Sequence, residues 1–137
     1  MRVVIDTNVL VSGLLTAGGP PGRVVDLLLA GEILPLFDDR ILAEYDEVLH
    51  RSSFAFPRLM IDPILDLVCV FGTRVVPRPL ALVLSDEADL PFLEVAVAGQ
   101  ADCIVTGNRK HFVPVKGSGS HDMRVLAPRE FLELLRG

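Results

Sequence analysis

The sequence has few of the residues and segments that typify secreted proteins, membrane proteins and zinc enzymes. It contains two cysteines and three histidines, and no apolar run approaches the roughly 18 uninterrupted residues of a membrane span. Cys69 and Cys103 lie within apolar runs, as core residues of a reducing compartment do, and the histidines show no zinc-binding spacing. The apolar N-terminal stretch contains Asp6 and Asn8, so we expect no signal peptide and a cytoplasmic protein without membrane contact.

Three common catalytic signatures are also missing from the sequence. It contains no G-x-S-x-G elbow, no P-loop and no G-x-G-x-x-G fingerprint. Thirteen basic residues against eighteen acidic ones give a net charge of −5, which argues against a broad basic surface for non-specific nucleic-acid binding. A nucleic-acid enzyme with an acidic, cation-carrying site is not excluded, because bound metals invert the local field.

Short apolar runs alternate with helical patterns along the chain. Half of the 137 residues are apolar, enough to build one domain, residues 1–137, around a sizeable core. Buried strands are predicted over residues 2–6, 33–37, 75–76, 103–106 and 123–126. Strands that alternate with helices form βαβ units, so the pattern predicts an α/β fold with a parallel sheet.

Apolar periodicity predicts helices over residues 24–29, 39–50, 63–71, 89–98 and 128–135. The third of these helices alternatively begins near residue 58. Gly31 suits the position just after a helix, and Asp38 suits the cap of the next one. Ser12 and Gly13 predict a loop after the first strand. The Gly/Ser-rich tract Lys116–Ser120 predicts a flexible connection to the last strand.

Polar residues follow two of the predicted buried strands. Asp6 comes directly after Val3–Ile5, and the run from Ile104 to Asn108 repeats this form. In an open α/β sheet, ligands bind at the carboxyl ends of the strands, so both residues are candidate site residues. The alternative is that Asp6 and Asn108 serve only to hydrogen-bond their own turns.

Asp89 shares the apolar stripe of its predicted helix with Phe92 and Leu93, three and four residues later. A carboxylate on the packed face of a helix is costly unless a cation or hydrogen bonds meet it, which favours a functional role. The alternative is that Asp89 only caps the helix. Glu94 points to the opposite face and is expected to be an ordinary surface residue.

Other carboxylates are harder to assign from the pattern. Glu44 and Asp46 flank the buried stripe of the helix after Asp38 at about equal angles, so periodicity leaves both open as site residues or rim charges. Asp86 and Glu87 are expected to form a solvated turn, and whether Asp86 borders the site stays open.

These carboxylates lie in three separate segments of the chain, with no His or Cys among them. Such oxygen-only donor sets suit Mg²⁺ or Mn²⁺ rather than zinc, and the matching chemistry is phosphodiester hydrolysis by a metal-activated water. Arg109 and Lys110 directly follow Asn108. They either contact a substrate phosphate or begin a solvated helix.

Four segments resemble the signature segments of PIN domains. They are MRVVIDTNVL at residues 1–10, EYDEVL at 44–49, DLPFLEVA at 89–96 and ADCIVTGN at 101–108. The closing PREFL at 128–132 resembles the ending of prokaryotic toxin–antitoxin PIN proteins akin to VapC toxins. The resemblance runs essentially from end to end, and the order and spacing of the segments make it specific.

The resemblance implies a three-layer α/β/α sandwich around a mostly parallel sheet, and a Mg²⁺- or Mn²⁺-dependent ribonuclease that a partner antitoxin neutralises. Homodimers are a further family expectation. Carried over by position, the catalytic and metal-binding acids are Asp6, Glu44 and Asp89, with Asn108 as a fourth metal ligand, Asn8 orienting Asp6, and Thr106 as a supporting hydroxyl. The fourth position is often Asp in the family, and the uncharged Asn108 leaves the number of metals open.

Two other interpretations remain. The chain is alternatively a PIN-like module that binds RNA or a protein without cutting, which the amide at position 108 and the negative charge favour. A receiver-like phospho-acceptor domain also clusters acids at strand ends, but it needs an acidic pair after the first strand. Here Thr7 follows Asp6, so that pair is absent.

Overall fold

A sheet of parallel strands organises the structure, a computed structural model that describes residues 1–117 and 122–137. The strands among these residues are β1 (Arg2–Ile5), β2 (Leu34–Phe37), β3 (Thr73–Arg74), β4 (Leu82–Val83), β5 (Cys103–Val105), β6 (Lys116–Gly117) and β7 (Val125–Leu126). Five of them form one sheet in the order β3-β2-β1-β5-β7, and each pairing in it is parallel. β4 and β6 form a separate antiparallel pair.

Helices connect and cover the strands. In the described part of the chain they are α1 (Thr7–Leu15), α2 (Pro20–Leu29), α3 (Asp39–Leu49), α4 (Arg58–Phe71), α5 (Leu90–Ala98) and α6 (Pro128–Leu135). Helices and sheet together form a three-layer α/β/α sandwich, as the resemblance to PIN domains implies. None of the described helices is long and apolar enough to cross a membrane.

The order of the strands fixes where a site is expected. From β1 the chain moves outward to β2 and β3 on one side, then returns to place β5 and β7 on the other side of β1. The order therefore reverses between β1 and β5, and ligands of open α/β sheets bind outside the carboxyl ends of the strands at such a switch point. Asp6 and Thr106 are the residues that follow these two strands.

Several sequence predictions of local structure are confirmed. The predicted β1, β2 and β5 and the helices at α2, α3, α4 and α6 all form near their predicted bounds. Gly31 follows α2 with a φ of 72°, a left-handed conformation that suits glycine. Asp38 caps α3 through a hydrogen bond from the Ile41 amide to its Oδ1, at 3.0 Å. The roles of these two residues at the helix ends were therefore predicted correctly from the sequence.

Other predictions of local structure are wrong, or place an element a few residues away from where it forms. The strand predicted at residues 75–76 lies at Thr73–Arg74, and the pairing of β4 with β6 was not foreseen. Within the tract predicted as a flexible connection, Lys116 and Gly117 belong to β6. Residues 118–121, which include the rest of that tract and His121, lie outside the described residues.

Ser12 and Gly13 lie inside α1 rather than in the predicted loop. Gly13 is buried where α1 and α2 meet, and a Cβ there would lie 2.6 Å from Val25 Cγ2 and 2.9 Å from the Pro21 carbonyl oxygen. Glycine is thus present for close helix packing, although it usually signals a turn. The sequence cannot separate these two roles.

We expect Gly13→Ala to lower the free energy of unfolding by about 1–3 kcal/mol, because its methyl group forces α1 away from the backbone of α2. Ser12→Ala is the matched control, since Ser12 is exposed on the same helix and its substitution should change stability by about 0.5 kcal/mol or less. Urea denaturation of both variants measures the difference. Equal stability of the two would contradict the close packing of α1 on α2.

Candidate active site

Asp6 lies at the switch point and is held by its neighbour across the sheet. Ile5 and Val105 are register partners in β1 and β5, so Asp6 and Thr106 emerge side by side. The Thr106 hydroxyl donates a hydrogen bond to Asp6 Oδ2 at 2.7 Å. Both residues are buried, so this carboxylate has a fixed position at the end of the central strands.

Glu44 is directed to the same region by α3. The hydroxyl of Thr7, the residue after Asp6, donates to Glu44 Oε2. The next residue on α3, Tyr45, is fully buried and donates its hydroxyl to the carbonyl of Ile5. Asp46 instead points away, with its side chain 63% exposed and 3.0 Å from His50. Of the two acids that periodicity left open, the structure brings Glu44 next to the end of β1.

Asp89 approaches from a 3₁₀ turn, Glu87–Asp89, that leads into α5. Exposed Asp86 starts this turn and accepts a hydrogen bond from the Ala88 amide at 2.9 Å, as expected of a capping residue. Asp89 is only 9% exposed. Its Oδ2 is buried and has no hydrogen-bond donor among the described residues, and it lies 3.2 Å from His111 Nδ1 outside hydrogen-bond geometry. A buried anionic oxygen without a donor is costly unless something else neutralises it.

Asn108 and His111 complete the rim beside Asp89. The backbone amide of Asn108 donates to the Thr106 hydroxyl at 3.0 Å, and its side-chain nitrogen lies 2.9 Å from His111 Nε2. If the amide donates there, the hydrogen of a neutral imidazole resides on Nδ1, which faces Asp89. His111 directly follows Arg109 and Lys110 in the sequence and was not among the candidate site residues. Its position three residues after Asn108, in the turn Arg109–Phe112, is the feature of the sequence that indicates its place beside Asp89.

Asn8 was expected to orient Asp6, and Arg109 and Lys110 were candidates for contact with a substrate phosphate. Their contacts in the structure differ in part from these expectations. The Asn8 side chain accepts a hydrogen bond from the Gly107 amide at 3.2 Å, which joins the start of α1 to the turn after β5. Arg109 pairs with Glu130 of α6 at 3.1 Å, with both side chains partly exposed. Lys110 is exposed beside it. The structure therefore directs Arg109 toward α6, whereas Lys110 stays at the surface.

The three buried or half-buried carboxylates affect one another electrostatically. Burial raises the pKa of Asp6, and the hydrogen bond from Thr106 partly offsets it. Burial also raises the pKa of Glu44, with the charge of Asp6 adding to the effect. For Asp89, burial first and then the charges of Asp6 and Asp86 raise the pKa to about 6. Carboxylates whose pKa values are raised by burial and by the charge of a neighbouring acid form one acidic group that a cation would stabilise.

The residues fit a divalent cation by their chemistry. Asp6, Glu44 and Asp89 supply hard oxygen donors of the kind that Mg²⁺ and Mn²⁺ prefer. Asp89 Oδ2 makes no hydrogen bond within the described residues, although the His111 ring lies 3.2 Å from it. As they lie, no three His, Cys, Asp or Glu side chains within residues 1–117 and 122–137 are close enough to hold one ion. Shared coordination therefore requires at least one side chain to rotate, for example Glu44 away from Thr7.

Comparisons with known proteins agree with this geometry. The family model described as PIN domain matches residues 2–110. The chain is also similar to the uncharacterized protein MJ1680 of Methanocaldococcus jannaschii, with 28% identity over 142 residues that cover 97% of this chain and 90% of that protein. PIN domains are typically metal-dependent nucleases, so the family implies a nucleic-acid substrate. The chain belongs to the PIN domain family.

Proposed function

We propose that this PIN domain is an endoribonuclease that uses Mg²⁺ or Mn²⁺ to hydrolyse RNA phosphodiester bonds. The observation that carries the proposal is the group formed by Asp6, Glu44 and Asp89. These carboxylates come from three segments and all have raised pKa values, and the charge of Asp6 contributes to the shifts of Glu44 and Asp89. They include a buried oxygen without a hydrogen-bond donor among the described residues. Such a group destabilises a fold that has no use for it.

Each side chain has a distinct part in the proposed reaction. The bound cation supplies a nucleophilic water and shields the charge of the phosphate. Asp6, which Thr106 holds in place, Asp89 at the start of α5, and Glu44, once it leaves the Thr7 hydroxyl, would hold the ion. Asn108 offers an uncharged oxygen where a fourth acid would add charge, so we propose weaker binding of any second ion.

We further propose that the protein is the toxin of a toxin–antitoxin pair and acts as a homodimer. The support is the resemblance of residues 128–132 to VapC-like toxins, and these residues open α6. A small neighbouring gene whose product has a DNA-binding N-terminus would encode the antitoxin. Its co-expression should restore growth of cells that express this chain, and a product that leaves growth arrest unchanged would contradict the pairing.

The proposed ion site predicts opposite behaviour for two neighbouring acids of α3. We expect Glu44→Gln to lower Mn²⁺-stimulated RNA cleavage on the order of 10²-fold, because it removes a charge beside Asp6. Asp46→Asn removes the same charge from an exposed position and should retain wild-type cleavage. Rates on a labelled single-stranded RNA with Mn²⁺ or EDTA give the comparison. Full activity of Glu44→Gln would remove Glu44 from the site.

A non-catalytic PIN-like module that binds RNA or a protein is the second candidate. Asn108 favours it, because an amide replaces an acid at the rim of the site, and so does the absence of three converging ligands in the described residues. Calorimetry with Mn²⁺ separates the two functions. Heat of binding that Asp89→Asn abolishes supports the nuclease, whereas no binding, together with no cleavage across RNA substrates, supports the module.

A further inference from the structure

Two phenylalanine rings stack on each other in the segment between α3 and α4. The centroids of Phe54 and Phe56 are 5.3 Å apart and the ring planes differ by 12°. Both side chains are partly exposed. Phe56 packs against the hydrophobic core, so Phe54 is the outer ring of the pair and rests on a fixed base.

The backbone is shaped to hold this pair. Ala55, between the two rings, has a φ of 53°, a left-handed conformation that an alanine adopts only at a cost. The Phe54 amide also donates to the Arg51 carbonyl at 3.1 Å, so the turn follows directly from the end of α3.

The same segment is locally basic in an acidic protein. Residues 50–58 contain Arg51, Arg58 and His50 and no acidic residue, although the whole chain carries a net charge of −5. Arg51 pairs with Glu47, and both side chains are more than half exposed. Exposed pairs of this type contribute little to stability, so the Arg51 guanidinium remains free to exchange Glu47 for a phosphate.

Arg51 also links the aromatic pair to the acidic group. Its guanidinium lies 3.0 Å from Glu47, which follows Glu44 by three residues and so lies about one turn along the same face of α3. The charge of Arg51 lowers the pKa of Glu44, as expected of groups that face the same region. A nucleic-acid strand can therefore run from the carboxylates past Arg51 to Phe54.

We propose that Phe54 and Phe56 form a stacking platform for a base of single-stranded RNA, with Arg51 contacting the phosphate between this base and the cleavage site. Aromatic rings beside basic side chains are the usual means of binding single strands without reading sequence. Bases inside a duplex are already stacked and cannot reach the rings. The inference rests on the proposed nuclease function and adds to it a base-binding subsite between α3 and α4.

The absence of tryptophan in the sequence allows a direct test. Phe54→Trp introduces a single tryptophan into the platform, and a stacked base quenches its fluorescence. We expect a 12-nucleotide single-stranded RNA to quench it, and a duplex of the same sequence to leave it unchanged. Measurement on the Glu44→Gln background in Mg²⁺ keeps the RNA uncut. Bound RNA, detected by fluorescence anisotropy, without quenching would overturn the platform.

A second variant tests the contribution of stacking to affinity. Phe54→Leu should weaken binding of the same RNA by about 5- to 100-fold. Phe71→Leu is the matched control. This partly exposed ring ends the 14-residue helix α4, roughly 20 Å from the helix start that follows Phe56. Equal losses in both variants would overturn the proposal.

The outcome for the platform is separable from the outcome for catalysis. Quenching by single-stranded RNA, with no cleavage by the wild-type protein, would support the platform and overturn the nuclease. Cleavage by the wild type without quenching of Phe54→Trp would support the nuclease and overturn the platform.

Discussion

Asp89→Asn should lose metal-stimulated RNA cleavage on the order of 10²- to 10³-fold and at the same time make the metal-free protein more stable. The first effect follows from removing the charge of the proposed ligand whose Oδ2 has no hydrogen-bond donor. The second follows because the wild-type carboxylate is buried near Asp6 and Glu44, which disfavours its ionised form. An amide of the same shape avoids that cost.

The pH dependence of the stability gain can be derived from the shift of Asp89. Its pKa in the folded protein is about 6, against an ordinary value of 3.8. The folded state thus binds the proton more tightly than the unfolded state, and stability is lost as the pH rises through about 6. The melting temperature of Asp89→Asn should exceed that of the wild type by a few degrees at pH 7.5. The difference should shrink as the pH falls toward 4.

Thermal melting with and without metal gives a test that does not depend on activity. The proposed ion site exists only in the folded protein, so Mn²⁺ should raise the melting temperature of the wild type, whereas Asp89→Asn should show little change. Glu87→Gln is the matched control, because it removes one charge from an exposed position in the same turn. Unimpaired cleavage by Asp89→Asn would reject the assignment. If Asp89→Asn melts at a lower temperature than the wild type in EDTA, Asp89 has a structural role instead.

The sequence predicted well those elements whose residues meet a single local requirement, such as burial on both faces or the capping of a helix. β1 and β5 are buried on both faces, and an unbroken apolar run is the pattern that such strands require. Asp38 and Gly31 act within their own turns, so local chemistry was enough to place them. The strand order, which brings Asp6 and Thr106 together, depends on pairings between distant segments. No local pattern predicts this order, and the structure alone shows it.

The predictions that failed depended on a neighbour that the sequence does not show. Glu94 was expected at the surface because it lies opposite the apolar stripe of its helix. It is only 5% exposed, since α5 contacts both the sheet and α3. The sequence held a sign of this, because nearly all residues of Leu90–Ala98 are apolar, and a helix that is apolar all round has no solvent face.

The burial of Glu94 is made tolerable by a network that joins three parts of the chain. Its carboxylate accepts hydrogen bonds from Arg40 Nη1 at 2.9 Å and from the Leu80 amide at 2.8 Å. Arg40 also donates to Asp38, the cap of α3, at 2.7 Å. Burial alone would lower the pKa of Arg40, but the bonds to Glu94 and Asp38 outweigh it and raise the pKa. The network therefore fixes α5, which follows Asp89, against α3, which carries Glu44.

Glu94→Ala should therefore be among the most destabilising single changes at a polar residue of this protein, at about 2–4 kcal/mol. It leaves the Leu80 amide without its acceptor and Arg40 with one carboxylate instead of two. Glu94→Gln should cost about half as much, because the amide oxygen still accepts one of the two bonds. Chemical denaturation at neutral pH measures both variants.

A double-mutant cycle isolates the pair itself. Arg40→Met, Glu94→Met and the double variant should give a coupling energy above about 1.5 kcal/mol, because the carboxylate is buried. The same cycle on Arg51 and Glu47, an exposed pair one helical turn apart at 3.0 Å, should give about 0.5 kcal/mol or less. Equal coupling in the two cycles would mean that Glu94 is solvated after all. A strong coupling only at Arg40–Glu94 would establish that a buried ion pair, invisible to periodicity, holds two of the three acidic segments together.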